Sequence, residues 1–232
     1  MFFLIDKDKK ICLGWSTKCG CNHVKHVFKS LIDQTQINQS INIHKNTRNQ
    51  LHANYHDYTI IVVTRNPYER LVSGFLDKFN EIKMRKNSPF FLKYLNQWRL
   101  KKIPINFSNL VYNLGNWKMM DRHHFNLQLS EAWKNELKIH YLFDIENINY
   151  TILEQLFNKK IPEDIKTIRH NRNLNRVNRS GGIKIFDKKI EDILETLYSY
   201  DQFYNDELKE KTYDFYKKDF LFLKEHGFYY DI

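Results

Sequence analysis

Glycine and proline are scarce in this chain, at seven and four of 232 residues. That leaves little material for a flexible linker, so one domain over residues 1–232 is expected at this length. Cysteine is scarcer still. Cys12, Cys19 and Cys21 are odd in number and crowded near one end, which does not resemble a secreted disulfide framework and fits a reducing compartment. No apolar run is long enough to cross a membrane. The opening MFFLI gives way at once to DKDKK, too short a stretch for a signal-peptide core, so a soluble, cytoplasmic protein is expected. Acidic residues are the minority charge, 27 against 37 Lys and Arg, for a formal net charge of +10. Such an excess points to an anionic partner without choosing among nucleotide, nucleic acid, acidic glycan and membrane surface. Disorder is excluded by 42% hydrophobic and 15% aromatic residues.

What is present is a strand–helix alternation. KICLGW (Lys10–Trp15) reads as a short buried strand, followed by the small-residue turn STKCGCN and a helix with Val24, Val27, Phe28 and Leu31 on one face. Cys12 falls on the strand as a core residue. A polar, Asn-rich stretch over 34–57 holds His44, His52 and His56, with a short strand expected near Ile41–Ile43. TIIVVT (Thr59–Thr64) is unbroken and β-branched, the pattern of a strand buried on both faces of a parallel sheet. It leads into RNPYERLVSGFLDKF, a helix whose first turn accommodates Pro67 and whose buried stripe is Leu71, Val72, Phe75 and Phe79. Further helices are expected over Phe90–Leu100, Phe107–Asn113, Tyr150–Phe157, Lys188–Tyr200 and Asp206–Leu223, and a third strand over Ile139–Ile145. The whole reads as a single-domain α/β protein with a central, mainly parallel sheet flanked by helices.

Ligands of such sheets sit beyond the C-terminal strand ends, and two strand exits here are chemically unusual. Trp15–Lys25 carries Lys18 and Lys25 around a turn at Gly20 that opens a helix, where backbone N–H groups and the helix dipole attract an anion. Lys18 is placed to neutralise charge developing on a leaving oxygen. No Walker A pattern can be read through the loop, which argues against a magnesium-dependent kinase. At the second exit Arg65 ends a strand, and Ser73 follows about two helical turns later, a pair able to bond one phosphate. Glu69 and Arg70 read as helix-surface residues. C-x-C followed by H-x-x-H, through Cys19, Cys21, His23 and His26, matches no usual zinc spacing, and no metal is expected.

These segments carry a resemblance. VTRNPYERLVSGFLDKF resembles the 3′-phosphate-binding motif of the carbohydrate sulfotransferases, in particular the chondroitin 4-O- and HNK-1-type group of sulfotransferase family 2. STKCGCNHVK resembles that group's 5′-phosphosulfate loop, with Thr17 where Pro is usual and Asn22 where Thr is usual. MDRHHFNLQ is similar to its Asn/Asp-x-His-Trp segment, with His124 in place of Trp. HYLFDIENI and KEKTYDFYKKDFLFLKEHGF fit its later strand and final helix in the same order, so the match spans most of the chain.

The resemblance implies a P-loop-NTPase-like sulfotransferase fold. It further implies metal-free, in-line transfer of a sulfuryl group from PAPS (3′-phosphoadenosine 5′-phosphosulfate) to a hydroxyl, leaving PAP. Lys18 would stabilise the leaving group. Cys19, Gly20, Cys21, Asn22 and His23 would cradle the 5′-phosphate, with charge added by Lys25, while Arg65 and Ser73 would hold the 3′-phosphate. A histidine is the expected base, among His44, His52, His56, His123 and His124. His52 is favoured by its position ahead of the Arg65 motif, with His44 next. His123 and His124 are otherwise assigned to the acceptor side. Arg176 and Arg179, within the run Arg169, Arg172, Arg176 and Arg179, are expected to close over the nucleotide. The basic charge favours an anionic glycan as acceptor. The alternative is an RNA-binding protein using Arg169–Arg179, since those arginines would share one helical face.

Overall fold

The computed structural model describes residues 1–32, 55–84, 91–134, 136–167, 183–193 and 198–231. The chain opens with β1 (Phe2–Asp6), turns back, and pairs antiparallel with β2 (Ile11–Trp15), Phe2 lying opposite Trp15 and Asp6 opposite Ile11. The turn is closed by the Asp6 carboxylate, which accepts the N–H groups of Asp8 and Lys9 at 3.1 and 3.0 Å. Helix α1 (Cys21–Leu31) follows, then β3 (Thr59–Thr64) and the long α2 (Pro67–Met84). Next come a π-helical turn over Phe91–Leu95 and the short helices α3 (Asn96–Leu100), α4 (Phe107–Tyr112), α5 (Arg122–Phe125) and α6 (Ser130–Lys134). Strand β4 (Tyr141–Asp144) precedes α7 (Tyr150–Phe157) and α8 (Glu163–Thr167). The chain continues through α9 (Ile190–Ile193), a 3-10 turn over Tyr200–Phe203 and the C-terminal α10 (Asp206–Glu225).

The sheet order is β1-β2-β3-β4, with β2, β3 and β4 mutually parallel. The α/β class and the mainly parallel sheet expected from the sequence are therefore present. The fourth strand, β1, extends the sheet antiparallel to β2 and covers its edge.

Two compact units divide the chain, one made of 1–65 and 128–171, the other of 66–127 and 172–232. The first holds the sheet with α1, α6, α7 and α8. Its core joins the expected stripe Val24, Val27, Phe28 and Leu31 to Ile61, Val63, Leu153 and Phe157, with Phe28 and Phe157 edge to face at 5.9 Å. Hydrophobic burial of this kind is the main favourable term in its stability.

The second unit is helical and built around α2. Phe75 stands 5.3 Å from Phe79 and 5.5 Å from Phe107, centroid to centroid, inside a cluster that includes Trp98, Phe203, Tyr204 and Tyr216. The polar ends of these rings find backbone acceptors: Trp98 Nε1 donates to Met119 O at 2.7 Å, Tyr216 to Phe125 O at 2.7 Å and Tyr204 to Tyr68 O at 3.0 Å. Arg70 corrects the sequence reading. It is 1% exposed rather than on the helix surface, donating to His124 O at 3.3 Å with its guanidinium 5.9 Å from the Tyr216 ring centroid. Helix α2 is wrapped on more of its circumference than one apolar stripe covers, and Arg70 falls on a wrapped side. The helix expected over Lys188–Tyr200 also differs, because Tyr200 starts a separate turn. Gln202 Oε1 accepts the Ser199 N–H there at 2.9 Å, as a helix-opening residue does.

In the first unit the link from α7 to α8 is ionic. The Glu154 carboxylate, 7% exposed, accepts Lys160 Nζ at 2.8 Å, Lys166 Nζ at 2.9 Å and the Ile161 N–H at 3.0 Å. Hydrogen bonds from Lys160 and Lys166, then from the Ile161 N–H, hold its pKa down at about 2, against an ordinary 4.5. A depressed carboxyl pKa stabilises the fold above the unfolded value and loses that contribution as pH falls through the folded one. Urea unfolding of wild type and Glu154→Gln should therefore differ most above pH 4.5, with the gap closing as pH falls toward about 2. A gap independent of pH in that window would show that the carboxylate's charge is not what stabilises this corner.

Candidate active site at the C-terminal edge of the sheet

Parallel pairing of β2, β3 and β4 brings their C-terminal ends to one edge, with Trp15 opposite Val63 and Thr64 opposite Asp144. The exit of β2 is a tight turn in which the Cys19 N–H donates to Ser16 O at 3.2 Å. Two residues in it are left-handed, Lys18 at φ 68° and Gly20 at φ 72°. Left-handed residues flanking a turn direct successive N–H groups to one side, a geometry that binds anions. Gly20 is also the N-cap of α1. Being glycine, the N-cap residue supplies no side-chain cap, and the first turn of the helix has no acidic residue of its own. The helix start thus carries the positive end of its dipole without a carboxylate in that turn.

Gly20 is required twice over. Its positive φ disfavours any other residue, and a Cβ there would lie 2.2 Å from Ile145 Cδ1, one residue beyond β4. Ile145 itself is held by its N–H to Thr64 O at 2.9 Å.

The expected nucleotide residues fall into distinct roles. Lys18 is half-buried on the turn, Cys21 is half-buried and Asn22 exposed at the helix start. The Cys19 thiol faces inward instead, fully buried and donating to Gln128 Oε1 at 3.3 Å, so its side chain anchors the loop. His23 is buried, with Nε2 2.8 Å from the Tyr150 hydroxyl, which tethers α1 to the start of α7. Lys25 is 5% exposed, with Nζ 6.0 Å from the Trp15 ring centroid. This places its charge beside the last residue of β2 in a cation–π contact. Arg65 is 6% exposed at the end of β3, and its Nη1 donates to the Lys18 carbonyl at 3.3 Å. One guanidinium donor thus ties the second strand exit to the first loop, at the residue that bends left-handed.

Ser73 lies on α2, half-buried, in the helical unit. The same unit holds His123, exposed, and His124, whose Nδ1 is hydrogen-bonded to the Asp121 carboxylate. Burial works to raise the Asp121 carboxyl, but the hydrogen bond and charge of His124 and the N–H of His123 outweigh it and hold the group below its ordinary range. His56 is exposed. His44, His52, Arg169, Arg172, Arg176 and Arg179, with the strand expected near Ile41–Ile43, lie outside the described residues. Among the described residues no group of three or more His, Cys, Asp or Glu side chains is arranged to hold a metal ion, and no helix is long and apolar enough to cross a membrane.

Sequence reasoning missed Gln128. It is 1% exposed, and its carboxamide contacts both the backbone of Arg65 and the Cys19 thiol. It closes the segment MDRHHFNLQ, but nothing in that pattern marks a glutamine as the partner of Arg65 and Cys19, and only the tertiary structure discloses that role.

Replacing Gly20 by Ala separates its two constraints. The left-handed backbone costs about 1–2 kcal/mol, and the contact with Ile145 adds about 1–3 kcal/mol of overpacking. Urea unfolding should show Ile145→Ala partly rescuing Gly20→Ala, by the steric share alone. Simple additivity of the two losses would show that the contact is not limiting.

No curated protein and no solved structure matches the chain. The sulfotransferase family model does, over residues 2–224, a span that takes in all four strands and their exits. On a match over nearly the whole sequence, this chain belongs to the sulfotransferase family and is a sulfotransferase.

Proposed function

We propose that the enzyme transfers a sulfuryl group from PAPS to a hydroxyl on a carbohydrate, with an anionic glycan the acceptor class favoured by the +10 net charge. The observation that supports it most is the turn with left-handed Lys18 and Gly20 at the start of α1. An oxyanion fits there, and a 5′-phosphosulfate supplies one. The acceptor oxygen forms a bond to sulfur as the bond from sulfur to the 5′-phosphate oxygen breaks, so negative charge grows on the departing PAP. Lys18 and the N–H groups from Gly20 to His23 stabilise that charge. Lys25, buried beside Trp15, adds positive potential.

Arg65 and Ser73 read the 3′-phosphate in this proposal, which separates PAPS from ATP. A guanidinium is a fork of N–H donors of the kind a phosphate accepts, which supports the role of Arg65. The acceptor's proton goes to a histidine. His52 and His44 are proposed from their places in the chain. His124 is supported by Asp121, because a carboxylate at Nδ1 orients an imidazole and stabilises its protonated form. The group's metal-free mechanism asks nothing further of the protein than position and charge.

Calorimetry with PAP, ADP and adenosine 5′-phosphosulfate tests the nucleotide assignment. Tight PAP binding with both controls weak is the expected result, and folded protein that ignores PAP would overturn it. Lys18→Ala and Arg65→Ala should each lower kcat/KM for PAPS-dependent transfer by roughly a hundred- to a thousandfold while the fold persists. Among His44, His52 and His124, the base is the residue whose replacement keeps PAP affinity and removes turnover together with the acidic limb of the pH profile.

A further inference from the structure

Arg65 lies one residue past the end of β3, where the strand's pairing with β4 stops. Its N–H and carbonyl are nevertheless both bonded. Gln128 Oε1 accepts the Arg65 N–H at 3.1 Å and Gln128 Nε2 donates to the Arg65 carbonyl at 2.9 Å. The side-chain amide stands in for a neighbouring strand, and this pairing fixes which end of the amide is oxygen. The same oxygen accepts the Cys19 thiol at 3.3 Å, and the Gln128 backbone carbonyl accepts the Ser16 hydroxyl. One residue thus holds the first loop at Ser16 and Cys19, on either side of Lys18, and holds Arg65 by its backbone. The Arg65 guanidinium returns to Lys18 O and closes the circuit.

We propose that Gln128 is a positioning residue that fastens the 5′-phosphate loop and the arginine at the β3 exit into one rigid body, so that the two phosphates of PAP are bound cooperatively. It touches no nucleotide itself. Both ends of a bisphosphate gain only if the two loops stand at the right separation before binding, since ordering them at the moment of binding costs affinity. The inference rests on the PAPS reading, and two separate measurements distinguish its failure from the failure of that reading.

The first measurement is amide hydrogen exchange on ligand-free protein. Gln128→Met keeps the side chain's approximate volume and removes its three hydrogen bonds. It should speed exchange at Arg65 and across 16–20 while leaving β2 and the first part of β3 protected. Unchanged exchange would overturn the fastening whatever the protein binds.

The second measurement is affinity for PAP, for AMP (5′-phosphate only) and for 3′-AMP (3′-phosphate only), at a temperature where circular dichroism shows the variant folded. Gln128→Met should weaken both single-phosphate ligands by about three- to tenfold and PAP by more than either, as expected for loss of a few buried hydrogen bonds felt at both ends. A lower melting temperature with unchanged affinities would reduce Gln128 to a purely structural residue. Loss confined to one single-phosphate ligand would overturn the coupling. If Gln128→Met does not fold, Ser16→Ala, which releases only the backbone end of the clamp, decides the same comparison with smaller losses of the same pattern. Wild-type protein that binds no PAP would sink the nucleotide reading, with the exchange result still deciding whether Gln128 joins the two loops.

Discussion

Parallel pairing of three strands is the constraint on which the rest of the sheet-bearing unit depends. With β2, β3 and β4 in register, the chain leaves the sheet three times along one edge, at Ser16, Arg65 and Ile145. Each exit then constrains another. Ile145 leaves no room for a side chain at Gly20, and Arg65 supports the Lys18 carbonyl. The left-handed turn is therefore held by its neighbours as much as by its own residues. A backbone conformation this uncommon persists only where its surroundings over-determine it.

The electrostatics follow from the same edge. Helix α1 begins at a glycine with no acid in its first turn, and Lys25 lies buried beside Trp15 rather than out in solvent. Three carboxylates of this unit have local partners. Glu154 is enclosed by two lysines, Asp6 closes the first hairpin, and Asp144 accepts the Glu146 N–H. Net charge alone does not disclose these local pairings, since it counts every charged residue alike.

Much of this was readable in the sequence, and what was not has identifiable causes. TIIVVT and ICLGW are continuous apolar runs, and Val24, Val27, Phe28 and Leu31 repeat at helical spacing, so β2, β3 and α1 follow from periodicity. The left-handed glycine was legible as a turn inside STKCGCN. The antiparallel β1 was hidden because five apolar residues followed by DKDKK fit many local structures. Helices as short as α5, α6 and α8 have too few turns to show a period. Arg70 was misread because residue type predicts exposure only on average, and a buried guanidinium needs partners, here the His124 carbonyl and the Tyr216 ring, that come from distant sequence. Gln128 was invisible for the same reason. Its four bonds all reach residues far from it in the chain.

The pairing of Gln128 with Arg65 also bears on how the chain can vary. The sheet-bearing unit is discontinuous, interrupted between Arg65 and Gln128 by the excursion 66–127. Those two residues are the points of departure and return, and they are hydrogen-bonded to each other. The excursion is thus closed at its root by a fixed pair, and closure entropy grows only slowly with loop length. A pair fixed in this way gives the sheet edge its own closure, one that does not depend on the length of the chain running between 66 and 127.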